Sequence, residues 1–280
     1  MLNSRAIKEL VRRYKLGIWP RRMGQNFLVD PRVLARMVGV IGPAPSDRVL
    51  EIGGGLGALT EGLIASGAAV TTVEKDTGFL QVLTDRFSGV ENLQMVRSDV
   101  LELDLASYAA GAPKSLLVVG NIPFSLTSLI LEYLLRQRQW VKRAVLTVQK
   151  EVALRIVARP GTKVYSSISV LVQVAFTPSI AFTIPPHAFY PQPKVTAAVL
   201  RLDPLPNPAV PLEEEEGLLR RARALFTHRR KTLVNSLLAS GESRPKEELL
   251  KRLHHAGIDP VRRPETFGIQ ELLVLNRALR

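Results

Sequence analysis

Three side chains and one turn stand where they could do chemistry. EIGGGLGALT (51–60) places Gly53, Gly55 and Gly57 between an apolar run and a helical pattern. A turn without side chains lets a ligand approach the backbone, and the helix that follows offers free N–H groups. Glu74 closes the next apolar run, 21 residues after Gly53, where a carboxylate accepts the two hydroxyls of a ribose. Asp99 closes the third, where a carboxylate or its neighbouring backbone meets an adenine amino group. The three together describe an adenosine pocket along one edge of a sheet. Gly53-x-Gly55-x-x-Ala58 also satisfies a dinucleotide fingerprint, and Glu74 or Asp99 alone could be a helix cap or a surface acid.

The fourth run ends in Asn121-Ile122-Pro123-Phe124, which separates a nicotinamide oxidoreductase from an S-adenosylmethionine enzyme. N6 of adenine is a poor nucleophile because its lone pair is delocalised into the ring. The Asn121 side-chain oxygen and the Ile122 or Pro123 carbonyl, fixed on its two hydrogens, would favour a pyramidal nitrogen and aim the lone pair at an electrophilic methyl. Pro123 fixes the turn, and Phe124 supplies a face on which a base can stack.

The elements that must position these residues alternate. Strands are predicted over 48–52, 69–74, 93–98, 115–119 and 144–148, with helices over 31–41, 58–66, 77–87, 126–138 and 150–159. Asp30-Pro31 is a helix start. Short loops between alternating strands and helices imply a parallel sheet covered on both faces. Runs over 168–176, 179–183 and 195–202 without helices between them suit an antiparallel edge. DPLPNPAVPLEEEE (203–216) reads as a linker with the glutamates at a solvated helix start, and 217–280 as three or four helices. Residues 3–16 read as a basic helix broken by Gly17 and Pro20. The divisions are then 1–23, a basic extension; 24–204, the ligand-binding α/β domain; and 205–280, a small all-helical domain.

The 280 residues carry 38 basic and 25 acidic side chains, a net charge of +13. Residues 1–48 hold ten basic and three acidic, residues 49–200 hold 13 and 11, and residues 201–280 hold 15 and 11. A near-neutral centre with basic margins suits a polyanion, foremost nucleic acid, and is also compatible with ordinary solubility charge. With no cysteine and four scattered histidines, thiolate chemistry is excluded and no metal site is expected. The N-terminal run lacks the apolar centre of a secretory signal, and no stretch reaches the roughly 18 apolar residues of a membrane span. A soluble, cytoplasmic protein is expected.

The order GQNFL (24–28), EIGGGLGALT (51–60), VEKD (73–76), SDVLELD (98–104), GNIPF (120–124) resembles the ribosomal RNA adenine N6-methyltransferases. That family has a small-subunit dimethyltransferase branch and a large-subunit macrolide-resistance branch. QKEVALRIVARPGTKVYSSISVLVQ (149–173), PPHAFYPQPKVTAAVLRL (185–202), LFTHRRKTLVNSLL (225–238) and GIDPVRRPETFGIQELLVL (257–275) resemble the first. The resemblance implies a Rossmann-like S-adenosylmethionine methyltransferase sheet, mostly parallel with an antiparallel edge, and a C-terminal helical domain. It implies cofactor contacts at Asn26, Leu28, Gly53, Gly55, Glu74, Asp99 and Asn121, with Asn121, Pro123 and Phe124 at the reacting base. It implies dimethylation of two adjacent adenosines in the 3′-terminal hairpin of small-subunit rRNA, on a nearly assembled subunit, without metal. A non-catalytic assembly factor is the rival of another class. Arg229, Arg230 and Lys231 are expected within one helical stretch, tracking phosphates, although Arg229 points away from the face that Arg223, Thr227 and Arg230 share, so some of these cations are expected to be structural; Phe189 and Tyr190 could stack on the other side of the extruded base or serve as core aromatics. The family usually has proline where Gly54 stands and tyrosine where Phe124 stands, and the first 19 residues exceed what it requires.

Overall fold

The computed structural model describes Leu2, residues 4–16 and residues 26–280. Gly17, Pro20, Arg21, Arg22, Gly24 and Gln25, on which some expectations above fall, lie outside the described residues. The chain forms two compact units, 1–153 with 179–204, and 154–178 with 205–280.

The first unit opens with α1 (Ser4–Arg13), β1 (Phe27–Leu28) and α2 (Pro31–Ile41). Asp30 caps α2 through Arg32 N, Pro31 pre-sets its first turn, and Gly42 ends it in the left-handed region. There follow β2 (Arg48–Ile52), α3 (Ala58–Ile64), β3 (Ala69–Glu74), α4 (Thr77–Arg86), β4 (Leu93–Arg97), β5 (Leu116–Gly120), α5 (Thr127–Arg136) and β6 (Val141–Gln149). The chain continues through α6 (Lys150–Ile156), α7 (Ser167–Gln173), β7 (Phe176–Ile184), β8 (Phe189–Tyr190) and β9 (Ala197–Pro204). The seven-stranded sheet has the order β4-β3-β2-β5-β6-β9-β7. β2 to β6 are mutually parallel where they pair, and β9 runs antiparallel to β6. β5 is buried along its whole length, as a central strand covered on both faces must be. A separate two-stranded ribbon joins β1 to β8, pairing Phe27 with Tyr190 and Leu28 with Phe189.

The second unit holds α7 and four further helices, α8 (Leu212–Thr227), α9 (Leu233–Ala239), α10 (Lys246–His255) and α11 (Ile269–Ala278). Three expectations change here. The run 168–176 is mostly helix α7, not strand. Ser166 N donates to Ser169 Oγ at 3.0 Å at its start, and Gln173 Nε2 donates to the carbonyls of Ile156 and Ala158. Burial of Val170, Leu171 and Val172 outweighs their β-preference. The stretch 203–216 is no loose linker: Leu205 N donates to Ala175 O at 2.8 Å and Ala209 N to Val174 O at 3.3 Å, with Val210 buried. Its glutamates are not all solvated either. Glu214 and Glu215 are buried, and Glu214 pairs with Arg277 at 2.8 Å and Arg280 at 3.0 Å.

Candidate active site

Strand order reverses between β2 and β5: the chain after β2 leads toward β3, the chain after β5 toward β6. The connections diverge there and leave a crevice at the carboxyl ends of the strands. A cavity of about 580 Å³ opens at this point, within the usual size of a small-ligand site. Asn26, Leu28, Gly53, Gly55, Glu74, Asp99, Asn121, Pro123 and Phe124 all line it. Gly54 explains one departure from the family pattern. A Cβ there would lie 2.4 Å from Thr72 Oγ1 and 2.9 Å from Leu83 Cδ1, so Thr72 and Leu83 occupy the space a proline would need. Gly55 sits at φ +53°, which aims its N–H at Glu74 Oε2, 2.9 Å away.

Glu74 is only 8% exposed. Its other oxygen accepts from Asp76 N at 2.9 Å. Burial pushes its pKa up, against the pull of these two N–H groups. Asp99 lies on the next strand end, and its pKa is lowered, first by Lys75 Nζ at 2.9 Å and then by Leu101 N. It caps the one-turn helix at 100–102, so the cap reading and the pocket reading describe the same residue. Glu51, two residues before Gly53 on the same wall, received no role from the sequence. It is wholly buried, accepts from Thr60 Oγ1 at 2.6 Å, and burial raises its pKa to about 7. Its place in a strand dominated by apolar residues was the only signal available.

Asn121 lies opposite. Its Nδ2 donates to the Asn26 carbonyl at 2.8 Å, and its Oδ1 accepts from Thr147 Oγ1 at 2.6 Å. The amide is thereby held in one orientation, since a flip would set two oxygens against each other at Asn26. Thr147, buried on β6, is a residue that motif reading could not find. Pro123 O accepts from Leu126 N at 2.9 Å, and Phe124, half-buried on the edge of the core, faces the cavity.

Other expected site residues fall elsewhere. Phe189 is 2% exposed and belongs to the core cluster with Leu28, Met37 and Val199, so it offers no face to an incoming base. Tyr190 remains half-buried beside α1, with Lys8 Nζ 5.8 Å from its ring centroid. His228 to Lys231 do not continue a helix: α8 ends at Thr227 and they form the turn before α9. Arg229 pairs with Glu265 at 2.9 Å and also donates to the Lys163 carbonyl. It pins its own unit together, while Arg230 and Lys231 are exposed. Among the described residues no cluster of metal-ligating side chains occurs, and no helix is long and apolar enough to cross a membrane.

The fold is that of a Rossmann-like methyltransferase. A dimethyladenosine transferase from Plasmodium falciparum superimposes with a TM-score of 0.73 at 24% identity, covering 89% of this chain and 95% of its own. The 23S rRNA methyltransferase ErmE gives 0.65 at 26% identity, covering 91% and 99%. The family model described as ribosomal RNA adenine dimethylase matches residues 20–273. Ribosomal RNA small subunit methyltransferase A of Pelotomaculum thermopropionicum is 40% identical over 275 residues, 95% of this chain and 92% of that protein. The chain belongs to the ribosomal RNA adenine dimethylase family.

Proposed function

We propose that this protein uses S-adenosylmethionine to dimethylate N6 of two adjacent adenosines in the 3′-terminal hairpin of small-subunit rRNA, on a nearly assembled subunit in the cytoplasm. The observation that carries the reading is one cavity bounded by Glu74 and Asp99 on one side and the fixed Asn121 amide on the other. The donor set fits this cofactor. Buried carboxylates Glu51 and Glu74 suit a cationic ligand, Glu74 can take ribose hydroxyls on its remaining lone pairs, and Asp99 can take an adenine amino group. When bound, S-adenosylmethionine supplies a methyl group made electrophilic by its sulfonium.

The protein's own groups do the rest. Asn121 Oδ1 keeps a second lone pair beyond the one that Thr147 fills. It accepts one N6 hydrogen. The Ile122 or Pro123 carbonyl accepts the other. Two acceptors hold the nitrogen lone pair out of conjugation, and Phe124 stacks on the flipped base. Held by Glu74 and Asp99, the cofactor would supply the methyl and retain the electron pair of the broken bond on its sulfur, while N6 would gain the methyl and release a proton to water. Arg230 and Lys231 contact phosphates. Small subunits lacking the modification, incubated with protein and cofactor, should yield a 3′ rRNA fragment heavier by four methyl groups. Modification of large-subunit rRNA instead, the substrate class in the name of ErmE, would replace this reading.

A further inference from the structure

The N-terminal helix is the one described element outside the α/β alternation of the first unit that methyl transfer leaves without a task. α1 is two-faced. Ile7, Leu10, Val11 and Tyr14 recur at helical spacing, and Ile7 is wholly buried. With Leu2 they pack against Leu56, Phe79 and Val82. Leu2 itself lines the cavity with Glu74 and Asp76. Tyr14 Oη donates to Asp85 Oδ2 at 2.7 Å and ties the end of the helix to α4. The apolar face is therefore already covered.

The opposite face is basic. Arg5, Lys8 and Arg12, at spacings of three and four, share one stripe. All three are exposed, as are Arg13 and Lys15 beside them. Glu9 is the single acid of the helix. It pairs with Arg5 at 3.3 Å in full solvent, an interaction worth little that a stronger anion would displace. The middle of the stripe is linked to the active site through two aromatic residues. Lys8 sits over Tyr190, Tyr190 pairs with Phe27 across the ribbon, and Phe27 lines the cavity.

We propose that α1 is a phosphate rail for the substrate. Its inner face packs on Leu56 and Phe79, which line the cofactor cavity, and Arg5, Lys8 and Arg12 hold the RNA backbone that flanks the target adenosine. The inference rests on the RNA reading above. Charge complementarity selects the occupant: a row of cations with no apolar side chain between them fits a polyanion. A lipid surface would require an apolar face to insert, and that face is buried.

The test is a titration of Arg5→Ala/Lys8→Ala/Arg12→Ala, and of the matching triple Glu variant, against unmodified small subunits and the naked 3′-terminal rRNA fragment. Binding is followed from about 50 to about 200 mM salt. Each lost phosphate contact should flatten the log–log salt slope by about 0.7–0.9, so the Ala variant should lose about 2–3 units on both RNAs. The Glu variant should bind more weakly still. Cofactor affinity and the unfolding midpoint should match wild type, since all three residues are exposed. An unchanged slope beside a wild type that binds and methylates RNA would overturn the rail alone. So would a loss confined to whole subunits, which would assign the face to a ribosomal protein. A wild type that neither binds nor methylates RNA would overturn the functional reading and the rail with it.

Discussion

The carboxylates at the sheet edge of the first unit are held differently from most of those in the second. At the sheet edge of the first, Glu74 and Asp99 are held largely by backbone N–H groups and one lysine. They keep lone pairs turned into a cavity. In the second unit arginines and glutamates mostly satisfy one another: Glu214 with Arg277 and Arg280, Arg229 with Glu265, Arg262 with Glu271. Backbone donors orient a carboxylate without neutralising it, which leaves charge for a ligand. A side-chain cation neutralises it and ties two helices together. Net positive charge in a helical unit is therefore a poor guide to which cations meet RNA; exposure and the absence of a geometric partner are better ones.

The largest expected effect lies at the sheet edge. Asn121→Ala, folded and saturated with cofactor, should lose about 10²–10³-fold in single-turnover methyl transfer, the usual penalty for removing one positioned donor or acceptor. RNA affinity should hold. Thr147→Val should lower the same rate less, by the roughly 0.5–1.5 kcal/mol of one ordinary hydrogen bond, and Thr147→Ser should restore it. A wild-type rate in Asn121→Ala would end the comparison, because the edge would then be only a binding site.

Glu74→Ala should weaken cofactor binding by roughly 1.5–3 kcal/mol, the worth of a hydrogen bond to a charged group. Calorimetry on the folded variant reads it, and an unchanged affinity removes Glu74 from the site.

In the second unit, Arg229→Ala should lower stability by about 1 kcal/mol, since its ion pair is partly exposed. The thermal midpoint should fall by about 2–4 °C. Arg230→Ala/Lys231→Ala should leave that midpoint alone and flatten the salt slope of RNA binding. The reverse pattern would mean that Arg229 is spent on RNA and the other two on the fold.

Glu51 sharpens the contrast through pH. Its pKa rises from an ordinary carboxylate value to about 7 on folding, so between those values the folded chain holds a proton that the unfolded chain has released. Its contribution to stability must therefore decline as pH climbs from about 5 to about 7. Glu51→Gln should abolish that part of the pH dependence in denaturant titrations, and identical profiles would show that Glu51 does not titrate there. The smallest effect belongs to Phe124→Tyr, which keeps the stacking ring and should stay near the wild-type rate.

Local chemistry was legible in the sequence. Asp30-Pro31 began a helix, Glu74 ended a strand, and the glycine turn, Asp99 and Asn121 each followed a strand that the structure contains. Capping, turn geometry and apolar periodicity act within a few residues, so adjacent letters suffice to read them. What depended on distant partners was not legible. Helix α7 prevailed over β-branched letters because its side chains are buried and Gln173 reaches back to 156 and 158. Arg229 joined the fold through Glu265, 36 residues on. Phe189 went into the core because the ribbon pairs it with Leu28. The Asn121 amide took its orientation from Asn26, 95 residues earlier, and Thr147, 26 later. A hydrogen bond acts only at about 3 Å, and only the folded sheet brings those three side chains and carbonyls that close.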